Sequence, residues 1–382
     1  MPDLLSALKE EITREGAIPF RRWMERALYD PEGGYYAAGR AAIGREGDFL
    51  TSVSIGPLFG RLVAVAFRGM WEQLGRPERF AVVEQGGDGG DFAHDVLCAA
   101  EGDGSAEGRR FARALRYVLV EPLALNEIRQ RERLARWSGA EGVRWVPTLE
   151  ALEPWTGVHF SNELLDAMPV HRIVRREGRW REWYVGLEEG DPVWKEGPFS
   201  DPRLEAWLPW LPEVEGYETE VNLAALEWVE TVAARLERGY LLAADYGFSR
   251  ADFYLPERTR GTLTAYHRHR RSEAFLDQPG EQDLTAHVEF TSLVEKAEAA
   301  GMTLAGFTDQ HHWMVDVGRR LFGDATGPLT PEEQRDRRAF VSLMHPGLMG
   351  RGFRFLALAK GAPRALPGFA FAGEARGALG LK

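Results

Sequence analysis

The run Phe80-Ala81-Val82-Val83-Glu84 ends on an acidic residue, enters Gln85-Gly86-Gly87-Asp88-Gly89-Gly90-Asp91, and reopens as the apolar-periodic segment Phe92–Leu97. Strand, tight turn and helix in that order form the junction at which α/β domains bind nucleotide-like ligands. Glycine takes positive φ without a steric cost and lets a ligand approach the main chain. The helix that follows offers unpaired N–H groups to an anionic group. Glu84, at the strand end before the glycines, points to a ligand with a cationic or hydroxyl-rich portion. Taken alone, the turn is equally readable as a plain strand–helix connection.

The rest of the chain supplies the sheet that such a junction needs. Further β-rich runs stand at Arg116–Glu121, Val143–Val146, Val158–Asn162, Gly239–Asp245, Thr303–Phe307 and Gly352–Ala359. Helical patterns separate most of them, which predicts an α/β fold with a largely parallel, seven-stranded, helix-covered sheet. Residues 1–75 read as a mainly helical N-terminal segment interrupted by a loop-rich block. Residues 76–360 form the core, with insertions at about 170–235 and 250–290 that build the substrate side. The second insertion reads as loop. The Gly/Ala/Pro-rich stretch 361–382 is expected to be a flexible tail.

Charge and composition narrow the partners. A net charge of −11 gives no general attraction to nucleic acid or anionic lipid and favours a basic protein partner. Cys98 is the one cysteine, so no internal disulfide forms. Leu4, Leu5, Leu8 and Ile12 alternate with charge at helical spacing, the pattern of an amphipathic helix and not of a signal peptide. No segment has the apolar length of a membrane span. The expectation is a soluble, cytoplasmic protein. A second copy of the chain is an admissible partner through 170–235.

A second acidic strand end refines the ligand. Glu121 closes Val118-Leu119-Val120 and would lie near a ribose, accepting from its hydroxyls. A nicotinamide cofactor and S-adenosylmethionine both need such a group. The spacing from Gly86 to Glu121 exceeds the roughly twenty residues of a dinucleotide fingerprint, and no third glycine completes G-x-G-x-x-G. An acidic residue before the glycines sits badly beside a pyrophosphate but suits an amino-acid ammonium, so Glu84 and Glu121 favour S-adenosylmethionine.

Several blocks then carry a resemblance. Tyr29-Asp30-Pro31-Glu32-Gly33-Gly34-Tyr35-Tyr36, Gly47-Asp48-Phe49-Leu50-Thr51-Ser52 and Phe59-Gly60 resemble the N-terminal signature of the MidA family. The similarity continues through Ser161-Asn162-Glu163-Leu164-Leu165-Asp166-Ala167-Met168-Pro169-Val170-His171, Ala244-Asp245-Tyr246-Gly247, Gly261–Tyr266, Pro279–Phe290 and Met349–Phe353. The blocks keep the family's order and cover most of the chain. The resemblance implies a Rossmann-like class I methyltransferase core with S-adenosyl-L-methionine as donor. It further implies a protein arginine methyltransferase of the type whose mitochondrial members assist respiratory complex I assembly. It places Tyr35, Asp48, Thr51 and Ser52 over the cofactor pocket, beside Glu84, Gly86, Gly87, Asp88, Gly90, Glu121 and Asn162.

The turn departs from the family pattern. Glu-x-Gly-Pro-Gly-x-Gly-Thr-Leu is matched here by Glu84 to Phe92, with Asp88 in place of the middle glycine and Asp91 in place of the threonine. A carboxylate there narrows the space for the cofactor's amino-acid end and faces its carboxylate. Either the pocket is re-registered or binding is weakened.

Methylation of a guanidinium needs carboxylates that hold and polarise it. Asn162 and Glu163 follow the fourth core strand, and Glu163 with Asp166 offers a fork that matches arginine. Asp245, at the fifth strand end, and Asp283, on an insertion, are further candidates. Each has a local alternative: Asp166 as a turn cap before Pro169, Asp283 as an N-cap ahead of Leu284. His267, His269, His287, His311 and His312 lack metal-site spacing, so no metal is expected. Trp207 and Trp210 read as packing before they read as an acceptor groove. Three functions stand at this point: a protein arginine methyltransferase, an assembly factor that has lost catalysis through its turn, and, more weakly, a nicotinamide-dependent oxidoreductase.

Overall fold

The computed structural model describes residues 3–39, 52–139, 142–267, 270–323, 330–345 and 350–382. Two compact units emerge. One joins Met1–Phe49, Leu165–Glu227 and Phe248–Ser292; the other joins Leu50–Leu164, Trp228–Gly247 and Leu293–Lys382.

The second unit holds the sheet. Its strands are β1 (Phe80–Gln85), β2 (Leu115–Val120), β3 (Val143–Val146), β4 (Trp155–Asn162), β5 (Leu236–Phe248), β6 (Thr303–Asp309) and β7 (Phe353–Lys360). Their spatial order is β6-β7-β5-β4-β1-β2-β3. Strands β3, β2, β1, β4 and β5 run parallel, while β7 runs antiparallel to both β5 and β6. All seven expected runs thus enter one mostly parallel sheet. The chain winds outward from β1 to β3 and returns to β4 on the other side of β1. At such a reversal, ligands of open α/β sheets lie outside the carboxyl ends of the strands.

Helices α1 (Leu58–Gln73), α2 (Asp91–Gly102), α3 (Ala106–Ala114), α4 (Ala124–Arg133) and α5 (Gln310–Phe322) belong to this unit. Phe160 of β4 stacks on Phe92 of α2 at 4.6 Å and meets Phe67 of α1 edge-on at 5.6 Å. Each such ring, taken wholly from water, stabilises the fold by about 2–3 kcal/mol. Gly157 and Gly239 let β1, β4 and β5 draw together: a Cβ at Gly157 would stand 2.0 Å from the Ala81 carbonyl oxygen. On β4 the imidazole of His159 is fully buried, and neither ring nitrogen has a hydrogen-bond partner among the described residues. It packs edge-on against Trp228 at 5.3 Å.

The first unit is antiparallel. Strands Ile18–Pro19, Arg179–Glu188, His171–Arg176 and Glu218–Val221 pair in that order, with Asp191–Gly197 against Arg179–Glu188. Helices Leu4–Glu15 and Phe20–Tyr29 bury Leu4, Leu8, Ile12, Phe20, Trp23 and Met24. A second small sheet joins Arg270–Ser272, Thr264–His267 and Asp283–Thr285, where the sequence suggested loop. Strands of three or four residues are too short to show a period.

The units divide the chain differently from the 1–75 segment expected: the stretch to Phe49 clusters with the two insertions, whereas α1 covers the sheet. The last residues are also not a free tail. Leu366 and Leu379 are buried, Gly368 donates to Asp316 at 2.7 Å, and Ala375–Ala378 is helical. A few apolar side chains among small ones are enough to hold it. Among the described residues no helix is long and apolar enough to cross a membrane.

Candidate active site

In the sheet unit, two buried carboxylates stand at neighbouring strand ends. Glu84 accepts from the Tyr117 hydroxyl at 2.6 Å, and burial pushes its carboxyl up to about 7. Glu121, just past β2, accepts from the Leu123 N–H at 2.9 Å and from the Gln130 side chain at 2.8 Å. Burial lifts Glu121 to about 7 as well, against these donors.

The glycine turn lies between β1 and α2. Gly86, Asp88 and Gly90 all have positive φ, at 83°, 39° and 86°. Asp88 therefore adopts a left-handed backbone, which glycine takes freely and aspartate tolerates better than most residues. Its carboxylate accepts from the Gly89 N–H, and burial raises its pKa. Gly87 is closely packed, since a Cβ there would stand 2.9 Å from Leu119 and 3.1 Å from Glu84 Oε1 and would have to displace those side chains. Gly90 is the N-cap of α2, leaving the first N–H groups of that helix directed at the turn.

A third group follows β4. Glu163 is a non-glycine residue at φ 53°. Its N–H donates to the Ala244 carbonyl at 2.9 Å, and the Leu164 N–H donates to Asp245 at 3.1 Å. The Glu163 carboxylate accepts from Asn162 at 2.9 Å and from the Tyr246 hydroxyl at 2.8 Å. Desolvation pushes it up to about 8, with Asp245 adding to the rise and the Tyr246, Asn162 and Ser52 donors opposing it. A strained residue held by so many bonds at a strand end is the usual form of a functional position. Asn162 Oδ1 is buried without a partner among the described residues, an acceptor that a ligand donor would satisfy. The fully buried Ser52 also donates its hydroxyl to Gln310 at 3.1 Å.

The remaining candidates lie in the other unit or outside the described residues. Tyr35 is buried there and meets Tyr36 edge-on at 5.2 Å. Tyr36 donates to Asp283 at 2.8 Å, and Tyr29 donates to the Ala167 carbonyl at 3.0 Å. Burial raises the pKa of these two tyrosines, and Asp283 and Asp166 add to the rise. Asp283 opens a strand and caps no helix; Glu289 accepts from the Thr291 and Ser292 N–H groups instead. Asp48 and Thr51 lie outside the described residues.

Sequence reasoning passed over Gln130, Tyr117 and Tyr246. The sequence carries no signal for Gln130, because α4 buries Asn126 and Gln130 while exposing Leu125 and Ile128, the reverse of an ordinary amphipathic helix. Among the described residues no cluster of His, Cys, Asp and Glu could hold a metal ion.

Residues 62–308 match the family described as "Putative S-adenosyl-L-methionine-dependent methyltransferase". The chain belongs to this methyltransferase family. It is 30% identical to the protein arginine methyltransferase NDUFAF7 homolog of Drosophila melanogaster, over 94% of this chain and 85% of that one. The human protein arginine methyltransferase NDUFAF7 is 26% identical, with 93% and 83% covered. A Burkholderia thailandensis protein, crystallised with S-adenosyl-homocysteine bound, superposes with a TM-score of 0.86 at 33% identity, covering 97% of this chain and 95% of that one. The protein is thus an S-adenosyl-L-methionine-dependent methyltransferase with the expected α/β core, and the nicotinamide alternative falls away. The named relatives are mitochondrial proteins, which overturns the expectation of a cytoplasmic location.

Proposed function

We propose that the chain methylates arginine in a partner protein and holds its methyl donor at the carboxyl ends of β1, β2 and β4. One observation carries the reading. Two non-glycine residues with positive φ, Asp88 and Glu163, and two buried carboxylates, Glu84 and Glu121, gather where the strand order reverses. The named arginine methyltransferase relatives supply the acceptor.

The residues suit the donor. Glu121 offers lone pairs to ribose hydroxyls, and the Gly86–Gly90 turn with the α2 N-terminus suits an amino-acid carboxylate. Glu84, already paired with Tyr117 and packed under Gly87, shapes the turn. The Asn162 oxygen takes a donor from the ligand. S-adenosyl-L-methionine, when bound, supplies an electrophilic methyl on a sulfonium. Glu163 meets the guanidinium, whose positive charge draws the raised carboxyl back to its ionised form near neutral pH. Tyr246 and Asn162 keep that carboxylate in place. As the guanidinium nitrogen is alkylated, it must shed a proton, and the Glu163 carboxylate is the base assigned to receive it. Asp245 fixes the chain at Leu164. Asp166 and Asp283 are assigned to acceptor recognition in their own unit, with Tyr35 and Tyr36 as support. The resemblance makes a respiratory complex I subunit the first acceptor to assay.

The test is methyl transfer from labelled S-adenosyl-L-methionine into proteins of an extract, followed by amino-acid analysis. Methylarginine that disappears with Glu163→Ala supports the reading. Binding of S-adenosylhomocysteine with no methylarginine under any condition would leave only the assembly-factor alternative.

A further inference from the structure

The sequence poses a difficulty at Asp88, where a side-chain-bearing residue occupies a glycine position in a cofactor turn. The structure supplies a compensating contact. The Gln130 Nε2 donates to the Asp88 carbonyl at 2.7 Å and to Glu121 Oε2 at 2.8 Å. Gln130 Oε1 accepts from the Trp145 indole at 2.9 Å, which fixes which way the amide faces. The side chain is fully buried. Its Cα also stands 3.4 Å from where a Cβ on Gly90 would lie, so α4 backs directly onto the turn. One amide therefore ties the left-handed residue of the turn to the carboxylate at the next strand end.

We infer that Gln130 is a positioning residue: it locks the Asp88 turn in its left-handed form and sets the Glu121 carboxylate, so that an aspartate is tolerated where glycine would be free. The inference rests on the proposed donor site. Without Gln130 the Asp88 carbonyl loses its donor and the backbone is free to leave φ 39°. Glu121 keeps the Leu123 N–H and the Asn126 side chain as donors but loses its link to the turn. Leu125 and Ile128 face outward on α4 because the inward face is given to this polar contact.

A double-substitution cycle on the full chain separates this role from simple packing. Calorimetric titration with S-adenosylhomocysteine is expected to weaken about 30-fold in Gln130→Ala, the loss of one neutral and one charge-assisted hydrogen bond. Asp88→Gly, which needs no lock, should recover most of that loss in the Gln130→Ala background and gain much less in the wild type. Gln130→Glu places a carboxyl against Glu121. Its affinity should approach that of the wild type where the pair shares a proton, near pH 6, and fall about 10-fold further by pH 8.5. Equal gains from Asp88→Gly in both backgrounds, or full affinity in Gln130→Ala, overturn the inference. The same cycle read by melting of the ligand-free chain reports the turn lock alone. A wild type that binds no S-adenosylhomocysteine but shows the melting coupling therefore sinks the donor site and not the lock. Absence of coupling in melting sinks the lock itself.

Discussion

Buried acids occur in both units, and their places in the fold differ. In the sheet unit, Glu121 and Glu163 sit past the ends of parallel strands and accept from main-chain N–H groups, side-chain amides and, at Glu163, the Tyr246 hydroxyl. In the antiparallel unit, Asp283 is met by the Tyr36 hydroxyl within a stack in which Tyr29 and Tyr36 lie 5.5 Å apart. A parallel sheet turns all its strand ends one way, so acids from distant parts of the chain converge there without further design. The antiparallel unit has no such common end, and its acids are satisfied one by one, Asp283 by the Tyr36 hydroxyl and Glu289 by the Thr291 and Ser292 N–H groups. Burial of a carboxylate alone therefore does not mark a donor site, and the proposed donor site rests on burial at a shared strand end.

That contrast can be broken at several points. The largest effect belongs to the sheet itself. Gly157→Ala forces a Cβ into the Ala81 backbone and should cost more than about 4 kcal/mol, read as loss of the cooperative melting transition. Gly89→Ala, with nothing within 4 Å of the added carbon, is the control and should melt within about 1 kcal/mol of the wild type. Next comes Glu163→Gln, expected to lower kcat by about 100- to 1,000-fold with little change in S-adenosylhomocysteine affinity. A carboxyl at about 8 gains its charge as pH rises, so turnover at low acceptor concentration should climb through about pH 7 to 9, and the variant should lose that limb. Loss of donor affinity instead would move Glu163 into the cofactor site.

Glu121→Ala should weaken S-adenosylhomocysteine by about 10- to 100-fold in calorimetry and leave acceptor binding alone. Asp283→Asn in the other unit should do the converse, raising the acceptor KM by about 10-fold while the donor titrates normally. A matching loss of donor affinity in both variants would erase the distinction between the units. The smallest effect is expected from Asp88→Gly alone, a tightening of about 3-fold as one charge and a strained φ are removed.

Much of the sheet was legible because each strand is an apolar run ended by a polar residue: Glu84, Glu121 and Asn162 announced three strand ends directly. Asp88 was legible as an oddity, but its left-handed φ and the amide that answers it were not. Gln130 lies far from Asp88 in sequence, and its contact depends on how α4 packs. The insertions were hard to read for a different reason. Thr264–His267 and Asp283–Thr285 pair across a stretch of chain, and neither is long enough to show alternation. The tail misled because Gly, Ala and Pro outnumber the two leucines that anchor it.

His159 has a consequence of its own. An imidazole shut inside the sheet with its pKa pressed down to about 3 stays neutral in the native chain, while the unfolded chain protonates near the ordinary histidine value of 6.5. Acidification therefore rewards unravelling. The native state gives up stability steadily as pH falls from about 6.5 toward 3 and gives up none above that window. Trp228, lying against the ring, makes its own fluorescence a gauge of that acid-driven loosening.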